Sequence, residues 1–419
     1  MVRLLVIADD FTGALDTGVQ FKASNSCVLL YKAEKENLRE ILNKEIQVLI
    51  IDTETRHLHA EEAYQIVYNI IETAIDLGIQ YIYKKTDSGM RGNIGSELAA
   101  FWNASGKQEV HFIPAFPQMG RTTVNGIHYV DNVPVAESVF GSDPFEPVKS
   151  SAIKDIIAEQ SNAPVIEKKE QNVQNEGSGI YVYDSTTEEE MLTLGTRLKE
   201  NGELHFLAGC AGFAAILLKL LDLETRKDEI PCFDKDLLII CGSINSVTVE
   251  QIDCAVRMGM HRIALSPEQK LGKDWILSQQ GRSCINKWKG EIFDFGNVII
   301  ECGVHDLEET SEYAKKMGIE LTESRRRIAD TMGGILAELL NLGIESTLLV
   351  TGGDTLLAFM EHIELDTLVP ASEIAPGVVL SQFEYCEKTF NLLSKSGGFG
   401  TPELFVTLSE RIKEESVGA

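Results

Sequence analysis

Positive charge is scarce in this chain: 38 Lys and Arg face 64 Asp and Glu, leaving a formal net charge of −26. So anionic a surface repels nucleic acid backbones and acidic lipid heads, which excludes both as main partners. A small anion must instead be met by a local cationic pocket. Long apolar runs are missing too. No stretch reaches the roughly 18 apolar residues of a membrane span, and the opening MVRLLVIADD is interrupted at Asp9 and Asp10, too early for a secretory leader. The eight cysteines contain no CxxC pair and mostly sit inside apolar runs such as 237–241, which predicts buried thiols in a reducing, cytoplasmic setting. Histidine pairs at metal-ligand spacing are lacking, so no metal site is assigned. Absent as well are GxxxxGK[ST], a GxGxxG after the first strand, and GxSxG. Their absence argues against P-loop NTPases, dinucleotide-binding domains and nucleophile-elbow hydrolases.

What remains is a chain of 419 residues, 44% apolar and 24% charged, which suits two globular domains with cores of their own. Short β-branched runs at 4–7, 27–31, 48–51, 81–83, 110–113, 180–183 and 205–207 alternate with helical spacing at 12–23, 59–77, 92–104 and 187–200. That rhythm predicts a mostly parallel sheet flanked by helices. Prolines and glycines break it over 114–147, where HYVDNVPV predicts a hairpin turning at Asp131 and Asn132 inside an inserted flap. The charged segment 224–236, which holds Pro231, marks the domain boundary and the expected hinge. Strands at 237–241, 262–265, 297–301 and 346–351, a helix over 323–342 and two antiparallel strands within 378–400 follow. The expected class is therefore α/β, with two domains, each a mostly parallel sheet flanked by helices, and a hairpin-containing insertion in the first.

Chemistry gathers where predicted strands end, the edge at which open parallel sheets collect ligands. The first strand ends in ADDFTGALDTG, with Asp9 and Asp10 before a helix start; one aspartate alone would serve as a cap. IDTETRH places Arg56 at the third strand's end, suited to a carboxylate or to pairing with Glu54. KKTDSGMRGNIGSE packs Lys85, Asp87, Ser88, Arg91 and Asn93 into one turn, a dense site for a hydroxylated anion, with Asp87 or Asn93 also able to cap the next helix. In PAFPQMGRTTVNG, Arg121, Thr122 and the glycines could close over a ligand, and Glu137 is a further acid or a solvated one. The second half offers three glycine turns: GSINSVT with Ser243, Ser246 and Thr248, then GGDT, then KSGGFG at 395–400. Small residues at helix starts cradle phosphate through backbone amides, and three such turns in one domain point to a nucleotide.

Taken in order, ADDFTGALDTG, KKTDSGMRGN, PAFPQMGRTTVNG, GSINSVT, TGGDT and KSGGFG resemble the four-carbon acid sugar kinase family along nearly the whole chain. The resemblance implies an ATP-dependent kinase acting on the terminal hydroxyl of threonate, erythronate or 3-oxo-tetronate, with residues 1–228 binding the acid and 234–419 the nucleotide. Carried over, Asp9, Asp10, Arg56, Lys85, Asp87, Ser88 and Arg91 form the acid-binding set. Ser243, Ser246, Gly352, Gly353, Asp354, Thr355, Gly397 and Gly398 form the ATP set. The opening is more similar to threonate and erythronate kinases, and Leu15 stands at a variable position that leaves the acid open, including branched relatives. In this reading Arg56 and Arg91 hold the carboxylate, Asp10 or Asp87 takes the hydroxyl proton, Lys85 neutralises charge, and Mg²⁺ bridges the ATP phosphates. The two domains would close to exclude water, and homodimerisation is left open. A dehydrogenase using the same turns, or a sugar-acid sensor without turnover, are the alternatives of other classes.

Overall fold

The computed structural model describes residues 2–21, 26–30, 46–143, 146–168, 177–221, 223, 233–234, 236–395 and 398–417. It divides into two compact units, Met1–Asp228 and Glu229–Ala419. Most of the expected hinge segment 224–236 lies outside the described residues, as does Gly397.

The first unit is a parallel sheet. Its strands are β1 (Leu4–Ala8), β2 (Ser26–Leu30), β3 (Val48–Asp52), β4 (Tyr81–Lys85), β5 (Val110–Ile113), β9 (Val165–Lys168), β10 (Ile180–Tyr183) and β11 (Phe206–Gly209), in the order β2-β3-β1-β4-β11-β5-β10-β9. Strands β1 and β3 are buried along their whole length, as LLVIA and VLIID require when both faces of a sheet are covered. Helices α1 (Phe11–Gly18), α2 (Ala60–Asp76), α3 (Ile94–Ala104), α4 (Ile153–Gln160), α5 (Glu188–Asn201) and α6 (Ala211–Leu220) flank it. Leu5, Ile7, Leu49 and Ile51 share one core with Val67, Ile70 and Ile71 of α2 and Leu98 and Phe101 of α3. The expected helix over 12–23 is shorter than the spacing suggests: it stops at Gly18 and tightens into a 3₁₀ turn, Val19–Phe21.

The insertion forms its own antiparallel sheet of β6 (Arg121–Val124), β7 (Ile127–Val130) and β8 (Val133–Pro134). The hairpin turns at Asp131 and Asn132, as expected, with φ of 50° and 65°. Both are left-handed values, which Asn and Asp tolerate best after glycine.

In the second unit the order is β13-β14-β12-β15-β18-β17-β16, from β12 (Leu237–Cys241), β13 (His261–Ala264), β14 (Val298–Glu301), β15 (Thr347–Thr351), β16 (Thr367–Ala375), β17 (Val378–Tyr385) and β18 (Lys388–Lys395). Strands β13 to β15 and β18 run parallel through β12, while β17 is antiparallel to β18 and to β16. Around them lie α7 (Ser246–Arg257), α8 (Pro267–Leu271), α9 (Gln279–Phe295), α10 (Leu307–Met317), α11 (Leu321–Asn341), α12 (Gly353–His362) and α13 (Leu404–Val417). Among the described residues no helix is long and apolar enough to cross a membrane, and Cys210, Cys241, Cys254 and Cys302 are buried free thiols.

Candidate functional site

Register brings three strand ends side by side. Ala8 of β1 pairs with Asp52 of β3 and with Lys85 of β4, so the residues that follow, Asp9–Asp10, Thr53–Arg56 and Thr86–Arg91, share one edge. Asp10 is extended at the head of α1, and its Oδ1 accepts from the Gly13 amide at 2.9 Å. Arg56 donates from Nε to Asp9 Oδ2 at 2.7 Å and from Nη1 to Asp10 Oδ2 at 2.6 Å, and Nη2 lies 3.6 Å from Asp87 Oδ1. Arg91 grips Asp87 with two hydrogen bonds of 2.8 and 3.1 Å and reaches Asp143 at 3.4 Å. The Lys85 ammonium donates to the Thr86 carbonyl. A Cβ on Gly13 would lie 2.7 Å from that ammonium and 2.6 Å from Asp10 Oδ1, so both crowd the first turn of α1.

Electrostatics separates the aspartates. Burial pushes the Asp9 and Asp87 carboxyls up, but neighbouring cations outweigh it: Arg56, Lys84 and Lys85 for Asp9, Arg91 and Arg56 for Asp87. Both are therefore held below the ordinary carboxylate value and are poor proton acceptors. Asp52 goes the other way, held well above its ordinary value by burial, then by Glu54 and Asp10.

Arg56 is 8% exposed and already turned to aspartates through Nε and Nη1, and its partner is not Glu54, which instead accepts the Phe11 amide. Asn93 does not cap α3; its side chain ties the turn to the carbonyls of Thr55 and Leu58. Asp87 braces its own turn by accepting from the amides of Gly89 and Arg91. Gly92 sits at φ +81°, where a Cβ would come within 2.8 Å of Arg56 Cγ, so only glycine lets the turn lie on Arg56. Ser88 is half-buried with its carbonyl on His128 Nε2 at 3.0 Å, and Glu137 is exposed. Lys84 and Glu97, a buried ion pair at 2.8 Å, were not singled out by sequence, although period-two alternation sends Lys84 and Lys85 to opposite faces.

In the second unit the glycine turns converge. A Cβ on Gly242 would lie 1.9 Å from Thr355 Oγ1, and one on Gly352 3.7 Å from both the Ser243 amide and Thr355 Oγ1. Gly398 stands beside Asn245, whose side chain caps α7 through the Val247 amide. Gln251 pins the third turn by donating to the carbonyls of Phe399 and Thr401. Ser246 is exposed and Ser243 half-buried; Gly353 opens α12. Asp354 is engaged by Arg325 at 2.5 and 3.2 Å. Lys395, at the end of β18, is 2% exposed, 3.4 Å from Thr248 Oγ1, and accepts the Gly352 amide on its carbonyl at 3.4 Å. Burial pushes its ammonium down to about 8. It lay inside the KSGGFG run, but its burial depends on tertiary packing.

Residues 4–217 match the family model described as a sugar-binding N-terminal domain, and residues 238–405 the one described as a nucleotide-binding C-terminal domain. With glycine turns on one parallel sheet and paired aspartates and cations on another, these define a two-domain phosphotransferase. The chain belongs to the four-carbon acid sugar kinase family. It is 29% identical to the D-threonate kinase of Salmonella typhimurium, over 96% of each chain. It is 24% identical to the D-erythronate kinase of Heliobacterium modesticaldum, over 90% of this chain and 89% of that one. The 3-oxo-tetronate kinase of Pseudomonas fluorescens is 22% identical, over 95% and 94%. The fold is shared with a solved Salmonella typhimurium LT2 protein, with TM-score 0.76 at 20% identity over 97% of this chain and 99% of that one. A Haemophilus influenzae structure gives 0.71 at 18% over 98% and 100%.

Proposed function

We propose that this protein is a cytoplasmic, ATP-dependent kinase that phosphorylates the terminal hydroxyl of D-threonate or D-erythronate, with residues 1–228 binding the acid and 234–419 the nucleotide. The observation that carries the mechanism is the unequal treatment of the aspartates. Asp87 is gripped by Arg91 through two hydrogen bonds and held well below the carboxylate range. Asp10 keeps a side chain 20% exposed at the head of α1. Asp10 is then the base that takes the hydroxyl proton, and Arg56 fixes its direction. Lys85, crowded against the same turn, stabilises the negative charge that develops on the transferred group. Ser88 and Arg91 line the acid's path.

On the nucleotide side, the amides of the turns at Gly242, Gly352 and Gly398 and the hydroxyls of Ser243, Ser246 and Thr355 suit phosphate oxygens. Among the described residues no group of three or more His, Cys, Asp or Glu side chains could hold an ion. Hard hydroxyl donors beside phosphates fit Mg²⁺, which keeps several waters and needs few protein ligands. Bound there, it would disperse the charge of the transferred phosphoryl group.

A coupled ADP-release assay with D-threonate, D-erythronate, L-threonate and 3-oxo-tetronates tests the reading. Turnover is expected on a D-tetronate. ADP release that no acid stimulates would remove the kinase assignment, and preference for a 3-oxo-tetronate would replace the substrate.

A further inference from the structure

A carboxylate is best recognised by one edge of a guanidinium, where two N–H groups point the same way. In the first unit Arg56 donates Nε to Asp9 and Nη1 to Asp10, with Nη2 3.6 Å from Asp87, and Arg91 spends its Nε/Nη2 edge on Asp87 and Nη1 on Asp143. Arg121, the first residue of β6, is different. Its Nη1 donates to the Met119 carbonyl and stands 3.8 Å from Asp131, whose side chain is 75% exposed and screened by water. Its Nε is buried and meets no acceptor among the described residues. A buried N–H without a partner is a cost that an arriving acceptor removes.

Arg121 is also placed beside the acid-binding turn. Its Cζ lies 5.7 Å from the Phe140 ring centroid, and Arg91 Cζ lies 5.0 Å from the same centroid. That ring fills the space a Cβ on Gly89 would need, at 2.6 Å. His128 on β7 links the flap to the Ser88 carbonyl at 3.0 Å, its other ring nitrogen shares a 3.2 Å hydrogen bond with Thr123 within the flap, and both Arg121 and Asp87 act electrostatically on its ring. The flap is thus tethered to the turn, with the arginine's unpartnered Nε carried on it.

We propose that Arg121 recognises the carboxylate of the sugar acid and sets the preference for acids over neutral polyols. This rests on the kinase reading above and deepens it. The flap then supplies the carboxylate contact, which leaves the Asp10 end of the site to the distal hydroxyl.

The test compares wild type, R121Q and R121K on D-threonate and on threitol, the polyol of the same length without the carboxylate. R121Q is expected to lower kcat/KM on threonate by about 100-fold and leave threitol within about 3-fold, with KM for ATP unchanged; a lost charge-assisted pair corresponds to about that factor. R121K, which keeps the charge but not the fork, is expected to lower the acid-to-polyol ratio by about 10-fold at an unchanged Tm. If R121Q does not fold, R121K decides alone. Equal losses on both substrates, or an unchanged ratio, overturn the proposal while the kinase reading stands. A wild-type chain that phosphorylates no four-carbon acid overturns both.

Discussion

Replacing Glu97 with leucine removes one half of an ion pair whose side chains are 0% and 1% exposed. Lys84 would keep its bond to the Lys85 carbonyl at 2.7 Å, and the Thr55 hydroxyl would lose the acceptor it now holds at 2.5 Å. A buried charge stripped of its counterion typically costs about 3–5 kcal/mol. Burial, and after it the Asp9 charge, keeps the Glu97 carboxyl raised despite Lys84, and apolar side chains of similar volume often replace such a buried pair without loss. Lys84→Met combined with Glu97→Leu should therefore return to within about 1 kcal/mol of wild type, well short of the sum of the two single losses. Denaturant titration followed by hydrogen exchange of peptides spanning Ile94–Ala104 reads the front unit alone. A single variant costing less than about 1 kcal/mol, or a double variant as weak as the single, would refute the reasoning.

Asp10→Asn keeps a good helix cap, so Tm should hold while kcat falls about 100-fold or more at unchanged KM for ATP; near-normal turnover would remove Asp10 from the base role. Gly92→Ala at φ +81° should cost about 1–3 kcal/mol and displace Arg56, read as a lower Tm and a lower kcat together. Lys395, pushed down to about 8 in the fold, binds fewer protons than an unfolded lysine above that pH. Its contribution to stability should thus rise from pH 8 toward about 10.4. Burial pushes the neighbouring Cys241 thiol up to about 11, which acts oppositely above about pH 9. Thermal melting of wild type against Lys395→Met isolates the lysine; parallel pH profiles would contradict its burial as a cation.

The parallel strands were legible because strands covered on both faces become unbroken apolar runs, as at Leu4–Ala8 and Leu237–Cys241. Strand β9 was not: VIEK is short, carries charges and pairs with β10 at the end of the strand order. Pro370 likewise obscured β16, and α9 hid its apolar stripe behind only Ile285, Trp288 and Ile292. Strand-end position was enough to gather Asp9, Asp10, Arg56, Lys85, Asp87 and Arg91 along one edge. Which cation each aspartate takes was beyond reach, because Arg56 meets Asp87 only through the pairing of β1 with both β3 and β4.

Strand β11 lies between β4 and β5, though it is the latest strand of its unit to be synthesised. Until residues 206–209 leave the ribosome, the sheet exists as two unjoined parts, one bearing the Asp87 turn and the other leading into the flap. A nascent chain halted near residue 200 would already hold the ends of β1, β3 and β4 together, yet it would lack the strand that sets the flap and its Arg121 beside them.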